Sequence, residues 1–156
     1  MKPHTPLFAP AEWAAKYPVE GIPLLDPGDI SRYPEHIQQR IKNYSGLDPL
    51  LRRANLSGYY ACLDFVDHCI GRLLDDFEDA GLLDNTIVVY TSDHGDMTHQ
   101  HGMQGKFCLF DPAIKVPLIV SYPKALPQDK VCTALVEQLG LYPTLADLTT
   151  IGPVGP

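Results

Sequence analysis

An unbroken β-branched run, Thr86-Ile87-Val88-Val89-Tyr90-Thr91, constrains this chain more than any other stretch. It does not alternate apolar with polar, so it predicts a strand buried on both faces, the habit of a parallel sheet. Ahead of it, Tyr59, Leu63, Val66, Ile70, Leu73 and Phe77 recur every three or four residues. That is one helix face, and it predicts a helix over 55–80 closed by Gly81 as C-cap. A helix feeding a buried strand signals an α/β fold. A second apolar run, Val116 to Tyr122, is bracketed by Pro117 and Pro123, and helical spacing returns at Val131, Leu135, Leu139 and Leu145 within 131–148.

The first fifty residues read differently. Prolines at 3, 6, 10, 18, 23, 27, 34 and 49 interrupt helix and strand repeatedly, which predicts an extended, loop-rich segment packed across something larger. The 156 residues allow one module, divided into this segment (1–50) and an α/β core (51–150). A formal net charge of −7 with scattered Lys and Arg disfavours a nucleic-acid partner. No run of about 18 apolar residues exists to span a membrane. Cys62, Cys69, Cys108 and Cys132 have no C-x-x-C spacing, so neither a zinc ribbon nor a redox pair is indicated, and residues 1–10 lack the apolar region of a signal peptide.

The chemistry gathers directly after the first strand, in Ser92-Asp93-His94-Gly95-Asp96 and the loop Thr98-His99-Gln100-His101-Gly102-Met103-Gln104-Gly105-Lys106. In open α/β sheets, ligands bind beyond the carboxyl ends of strands. Asp93 and His94 offer a divalent cation adjacent oxygen and nitrogen ligands, and Gly95 and Gly102 let the backbone turn around it. Lys106 adds a compact positive charge suited to a sulfate or phosphate oxygen. An isolated Asp-His-Gly is more often a simple turn. His99 and His101 could join His94 in a three-histidine zinc site, but they lack a helical or ribbon spacing, and hydrogen-bonded loop histidines are the plainer reading.

The stretch Ile87 to Met97, continued by His101-Gly102, Gly105-Lys106 and Val116-Pro117-Leu118-Ile119-Val120, closely resembles the sulfatase family of the alkaline phosphatase superfamily. Tyr59 to Asp67 resembles the family's helix before that strand, Leu141-Tyr142-Pro143-Thr144-Leu145 its later helix start, and Lys2-Pro3-His4-Thr5-Pro6 its K-P-H-x-P segment. The resemblance implies an alkaline phosphatase-like sandwich, a mostly parallel sheet with flanking helices, incomplete here at both ends. It implies Asp93 and His94 as ligands of a divalent ion, Ca2+ first, with Mn2+ or Zn2+ as alternatives. It further implies that Lys106, Lys2 and His4 contact the ester, with His4 as proton donor to the leaving oxygen.

Sulfatases attack with a formylglycine made in a C/S-x-P-S-R motif, and none of the four cysteines stands in one. The resemblance therefore implies half of a metal site and the anion-holding residues of a sulfuric ester hydrolase, without its nucleophile segment. The implied substrate is a sulfate ester, small molecule or sulfated glycan. A phosphonate or phosphodiester hydrolase is the neighbouring alternative. A non-catalytic remnant, associating through an exposed sheet edge, is the rival from another class. Asn55-Leu56-Ser57 has only the form of a glycosylation sequon. Asp75, Asp76, Glu78 and Asp79 read as a solvated face, His36 and His68 as surface or structural histidines, and Trp13 and Tyr17 as packing residues.

Overall fold

The computed structural model describes residues 3–149. Its elements in chain order are α1 (Ala11–Ala14), α2 (Glu35–Ser45), α3 (Pro49–Asp79), β1 (Val88–Thr91), α4 (Asp111–Ile114), β2 (Leu118–Ser121) and α5 (Leu141–Leu148). Helix and a small sheet mix along one chain, so the architecture is an α/β one.

Helix α3 begins six residues before the expected 55, and the reason is local. Asp48 accepts a hydrogen bond from the Leu50 amide at 2.8 Å, and Pro49 occupies the first turn, where its missing N–H costs nothing. At the other end Gly81 takes φ +65°. Its amide reaches Glu78 O at 2.8 Å, and the Leu82 amide reaches Phe77 O at 2.9 Å, which together satisfy two carbonyls of the last turn. The periodicity located this helix but not its buried side. Arg52, Leu56, Ser57, Ala61 and Cys62 are the buried residues, whereas Leu63 and Leu73 are 37% and 55% exposed.

The N-terminal segment selects that side. The Leu7 carbonyl crosses α3 so closely at Gly58 that a Cβ there would lie 2.6 Å from it. Ser57 Oγ donates to Tyr17 O at 2.5 Å, Arg53 Nε donates to Ile22 O at 3.1 Å, and Lys16 pairs with Asp64 at 2.9 Å. Trp13 packs edge-on against Phe65 at 4.9 Å and lies 5.2 Å from His68, so Trp13 and Tyr17 are packing residues as expected. The loop-rich reading of 1–50 fails at 35–45, where eleven residues form α2. Pro34 stands at its N-cap, and Ile37, Ile41 and Tyr44 supply the buried stripe.

The sheet corrects the sequence expectation. β1 pairs antiparallel with β2, with Val88 opposite Ser121 and Thr91 opposite Leu118, rather than lying in a parallel array. Nor is β1 buried on both faces: Tyr90 is 40% exposed, and Ile119 on β2 is 61% exposed. Only two strands pair among the described residues, so each lacks the second neighbour and the covering layers that a continuous apolar run ordinarily finds. The spacing at 131–148 is likewise only partly helical. Val131, Leu135 and Leu139 are 91%, 103% and 83% exposed, and only Leu141–Leu148 forms a regular α-helix. No helix among the described residues is long and apolar enough to cross a membrane.

Candidate active site

Because Thr91 is paired with Leu118, the chain from 92 to 117 is an excursion whose two ends are held together. Asp93 and His94 open it. Asp93 Oδ1 accepts from the His94 amide at 3.0 Å, and Asp93 Oδ2 lies 3.4 Å from His94 Nε2. The carboxylate is 83% exposed and the imidazole 37%, so the facing oxygen and nitrogen look outward. His94 Nδ1 lies 2.8 Å from Gly95 O, which orients the ring and leaves Nε2 toward the carboxylate. Desolvation pulls the Asp93 carboxyl upward, but the His94 amide and the charges of His94 and Lys106 outweigh it and hold the group below its ordinary value.

His94 and Lys106 line an open cleft of about 480 Å³ with Phe107, Cys108, Leu109, Ala113 and Ile114. Among the described residues the Lys106 ammonium has no hydrogen-bond or ion-pair partner, leaving its donors for an anion.

The floor of the excursion is firmly built. Gly95 N donates to Ala113 O at 2.9 Å, and a Cβ on Gly95 would lie 2.0 Å from Pro112 O, so only glycine lets the loop sit down on α4. Asp96 Oδ1 accepts from the amides of Thr98 and Gly105 at 2.8 and 3.2 Å. Met97 N donates to Gly105 O at 2.8 Å, and His99 N donates to Met103 O at 2.9 Å. Met97 and Met103 then bury with Ile37, Ile41 and Ala113 in one apolar cluster. Gly102, at φ +67°, lets the turn approach Pro27 and Ile41, which a Cβ would meet at 2.6 and 3.0 Å.

His99 and His101 belong to this floor. His99 is 1% exposed and its Nε2 lies 2.7 Å from Tyr44 Oη. Burial and the nearby Arg52 guanidinium push its pKa down to about 4, against the opposing pull of Asp96. His101 Nδ1 lies 3.1 Å from Tyr33 Oη, and its ring packs 5.0 Å from Phe110. Both are hydrogen-bonded loop histidines. No group of three or more His, Cys, Asp and Glu placed to hold a metal ion is found among the described residues.

The sequence offers two further site residues, Lys2 and His4. Lys2 lies outside the described residues. His4 is exposed, its Nδ1 lying 2.9 Å from Thr5 O, and among the described residues no hydrogen bond or ion pair joins it to Asp93, His94 or Lys106. Conversely, sequence reasoning missed Arg40 and Tyr44, which hold the loop from behind. The Ile37, Ile41, Tyr44 spacing was the available signal for their helix.

The family model described as Sulfatase matches residues 1–151.

The chain belongs to the sulfatase family.

Among its relatives, a sulfatase of Formosa agariphila is 34% identical over 158 residues, covering 96% of this chain and 31% of the relative. Human iduronate 2-sulfatase is 31% identical over 187 residues, covering 94% of this chain and 34% of the relative. An N-acetylglucosamine-6-O-sulfatase of Bacteroides thetaiotaomicron is 39% identical over 93 residues, covering 60% of this chain and 17% of the relative. This sulfatase-family chain therefore spans about a third of the length of the first two relatives. Among solved structures, a phosphonate monoester hydrolase from Silicibacter pomeroyi superposes with a TM-score of 0.83 at 26% identity, covering 96% of this chain and 32% of that one. A protein solved with its substrate D-glucosamine-2-N,6-O-disulfate gives a TM-score of 0.64 at 32% identity, covering 80% of this chain and 28% of that one.

Proposed function

We propose that this chain is the part of a sulfuric ester hydrolase that holds half of a divalent metal site and grips the sulfate of the substrate. The observation that carries the proposal is the pairing of Asp93 with His94 just past β1, together with the cleft that His94 and Lys106 line. An anionic carboxylate and an imidazole nitrogen 3.4 Å apart are a donor pair that fits one cation. Calcium is the ion assigned first, with Mn2+ or Zn2+ as alternatives that the nitrogen donor favours. When bound, such an ion supplies Lewis-acid polarisation of the ester and neutralises its charge. Asp93 and His94 would hold it, and Gly95 O would keep His94 turned toward it.

Lys106 would take an equatorial oxygen of the ester as a charge-assisted donor. His4 and Lys2 are assigned to the same ester, His4 giving its proton to the leaving oxygen. The nucleophile is assigned to a C/S-x-P-S-R motif outside these residues. In the whole protein the fold is assigned as an alkaline phosphatase-like sandwich, with β1 and β2 as one antiparallel pair in a mostly parallel sheet. The substrate class is a sulfate ester of a small molecule or glycan, a choice supported by the sulfatase relatives and by the sulfated glucosamine named for one structural neighbour. A phosphonate ester is the second reading, supported by the high TM-score of the phosphonate monoester hydrolase. Association through the free edges of β1 and β2 belongs to the same proposal, and a monodisperse monomer would count against that part of it.

The direct test is thermal melting of wild type and Asp93→Ala with millimolar Ca2+, Mn2+ or Zn2+. A cation at a hundred times its Kd stabilises the fold by about 2.7 kcal/mol, so a clear rise in Tm is expected for wild type and none for the variant. Equal rises in both, or none with any of the three ions, would sink the metal assignment.

A further inference from the structure

Lys106 is a long, half-buried side chain whose ammonium has no protein partner among the described residues, so its position depends on where its main chain is held. The main chain there is unusual. Gly105 takes φ +78° and Phe107 takes φ +63°, so the backbone turns through the left-handed region on both sides of the lysine. For phenylalanine that conformation is strained and persists only where the surroundings impose it.

One guanidinium gathers the carbonyls of this stretch. From α2, Arg40 Nη1 donates to Phe107 O at 2.9 Å, while Nη2 donates to Lys106 O at 2.8 Å and to Gln104 O at 3.4 Å. The three carbonyls converge on a planar fork whose donors have fixed mutual geometry, which an ammonium on a flexible stem does not reproduce. Arg40 itself is fixed by its neighbours on the helix. Ile37 and Ile41 are buried in the same cluster as Met97 and Met103, and Tyr44 anchors His99 one turn further on.

We propose that Arg40 is a positioning residue for Lys106, holding the main chain of 104–107 in the path that keeps the lysine on the wall of the cleft it lines with His94. The inference rests on the reading of Lys106 as the anion-holding residue. Without the clamp the loop regains backbone freedom, the ammonium sweeps a larger volume, and its occupancy at the anion falls. Arg40 does not line the cleft, and its influence runs through the carbonyls.

The experiment is a titration of the full chain with inorganic sulfate, followed by amide NMR shifts of the loop. It compares wild type, Lys106→Ala, Arg40→Lys, the double variant Arg40→Lys/Lys106→Ala, and Ile41→Val as a packing control. Arg40→Lys keeps the charge and the fold's bulk, which guards against the collapse that Arg40→Ala risks. Lys106→Ala should weaken sulfate binding about ten-fold, and Arg40→Lys about three- to ten-fold. The double variant should be no weaker than Lys106→Ala, because the clamp acts only through the lysine. Ile41→Val should lower the melting temperature without changing sulfate affinity. Wild-type affinity in Arg40→Lys, additive losses in the double variant, or an equal loss in Ile41→Val would overturn the positioning role while leaving Lys106 in place. Undiminished affinity in Lys106→Ala would overturn both readings together.

Discussion

His99 makes folding stability depend on pH in a window the structure defines. In the fold it is buried, its Nε2 meets Tyr44 Oη at 2.7 Å, and burial and Arg52 push its pKa down to about 4 from an ordinary 6.5. Between those values the unfolded chain binds a proton at this residue that the folded chain does not, so stability rises with pH there. The contribution is whole above 6.5, drains as the pH falls and is gone near 4. With each pKa unit equivalent to about 1.4 kcal/mol, the loss across the window is about 3 kcal/mol. The assay is urea unfolding of wild type and His99→Gln at pH values from 4 to 8. Subtracting the two profiles cancels the carboxylates that titrate in both proteins. His99→Gln should be less stable at pH 8 and should lose less on acidification, so that the curves converge toward pH 4. Parallel curves would refute the reasoning, since they would mean that the imidazole protonates as readily inside the fold as outside it.

Two further perturbations follow from the floor of the site. Gly95→Ala places a Cβ 2.0 Å from Pro112 O and must displace either the loop or α4. A drop in stability of about 2–4 kcal/mol by chemical unfolding is expected, and an unchanged midpoint would mean the close approach is not maintained in solution. Ile41→Ala empties a site that is 1% exposed between α2 and the two buried methionines, and should cost about 2–5 kcal/mol by the same measurement.

What was legible in the sequence was local. The period of α3 could be read, and so could its stop at Gly81, because both reside in neighbouring residues. Its start is equally present in Asp48-Pro49, but proline reads as a breaker unless its place in the first turn of a helix, which accepts it, is recognised. Helix α2 is masked in the same way, since eight prolines before residue 50 obscure the stripe of Ile37, Ile41 and Tyr44. The strand run was placed correctly, but its exposure and its antiparallel direction depend on β2 some thirty residues away, and no pattern inside the run encodes its partner. At the site, residue type and order single out Asp93, His94 and Lys106, and the structure sets Asp93 beside His94, with His94 and Lys106 lining one cleft. The groups that steady them, Arg40 and Tyr44, are about sixty residues distant in sequence and act on main-chain carbonyls and a loop imidazole. Such partnerships leave no trace in spacing.

The shared cluster of Ile37 and Ile41 with Met97, Met103 and Ala113 means that α2 and the loop have no separate cores. They open as one cooperative unit, because freeing either strips the other of its buried surface. Anything that steadies the rim of the cleft must therefore also steady α2, a helix that supplies none of the residues lining it.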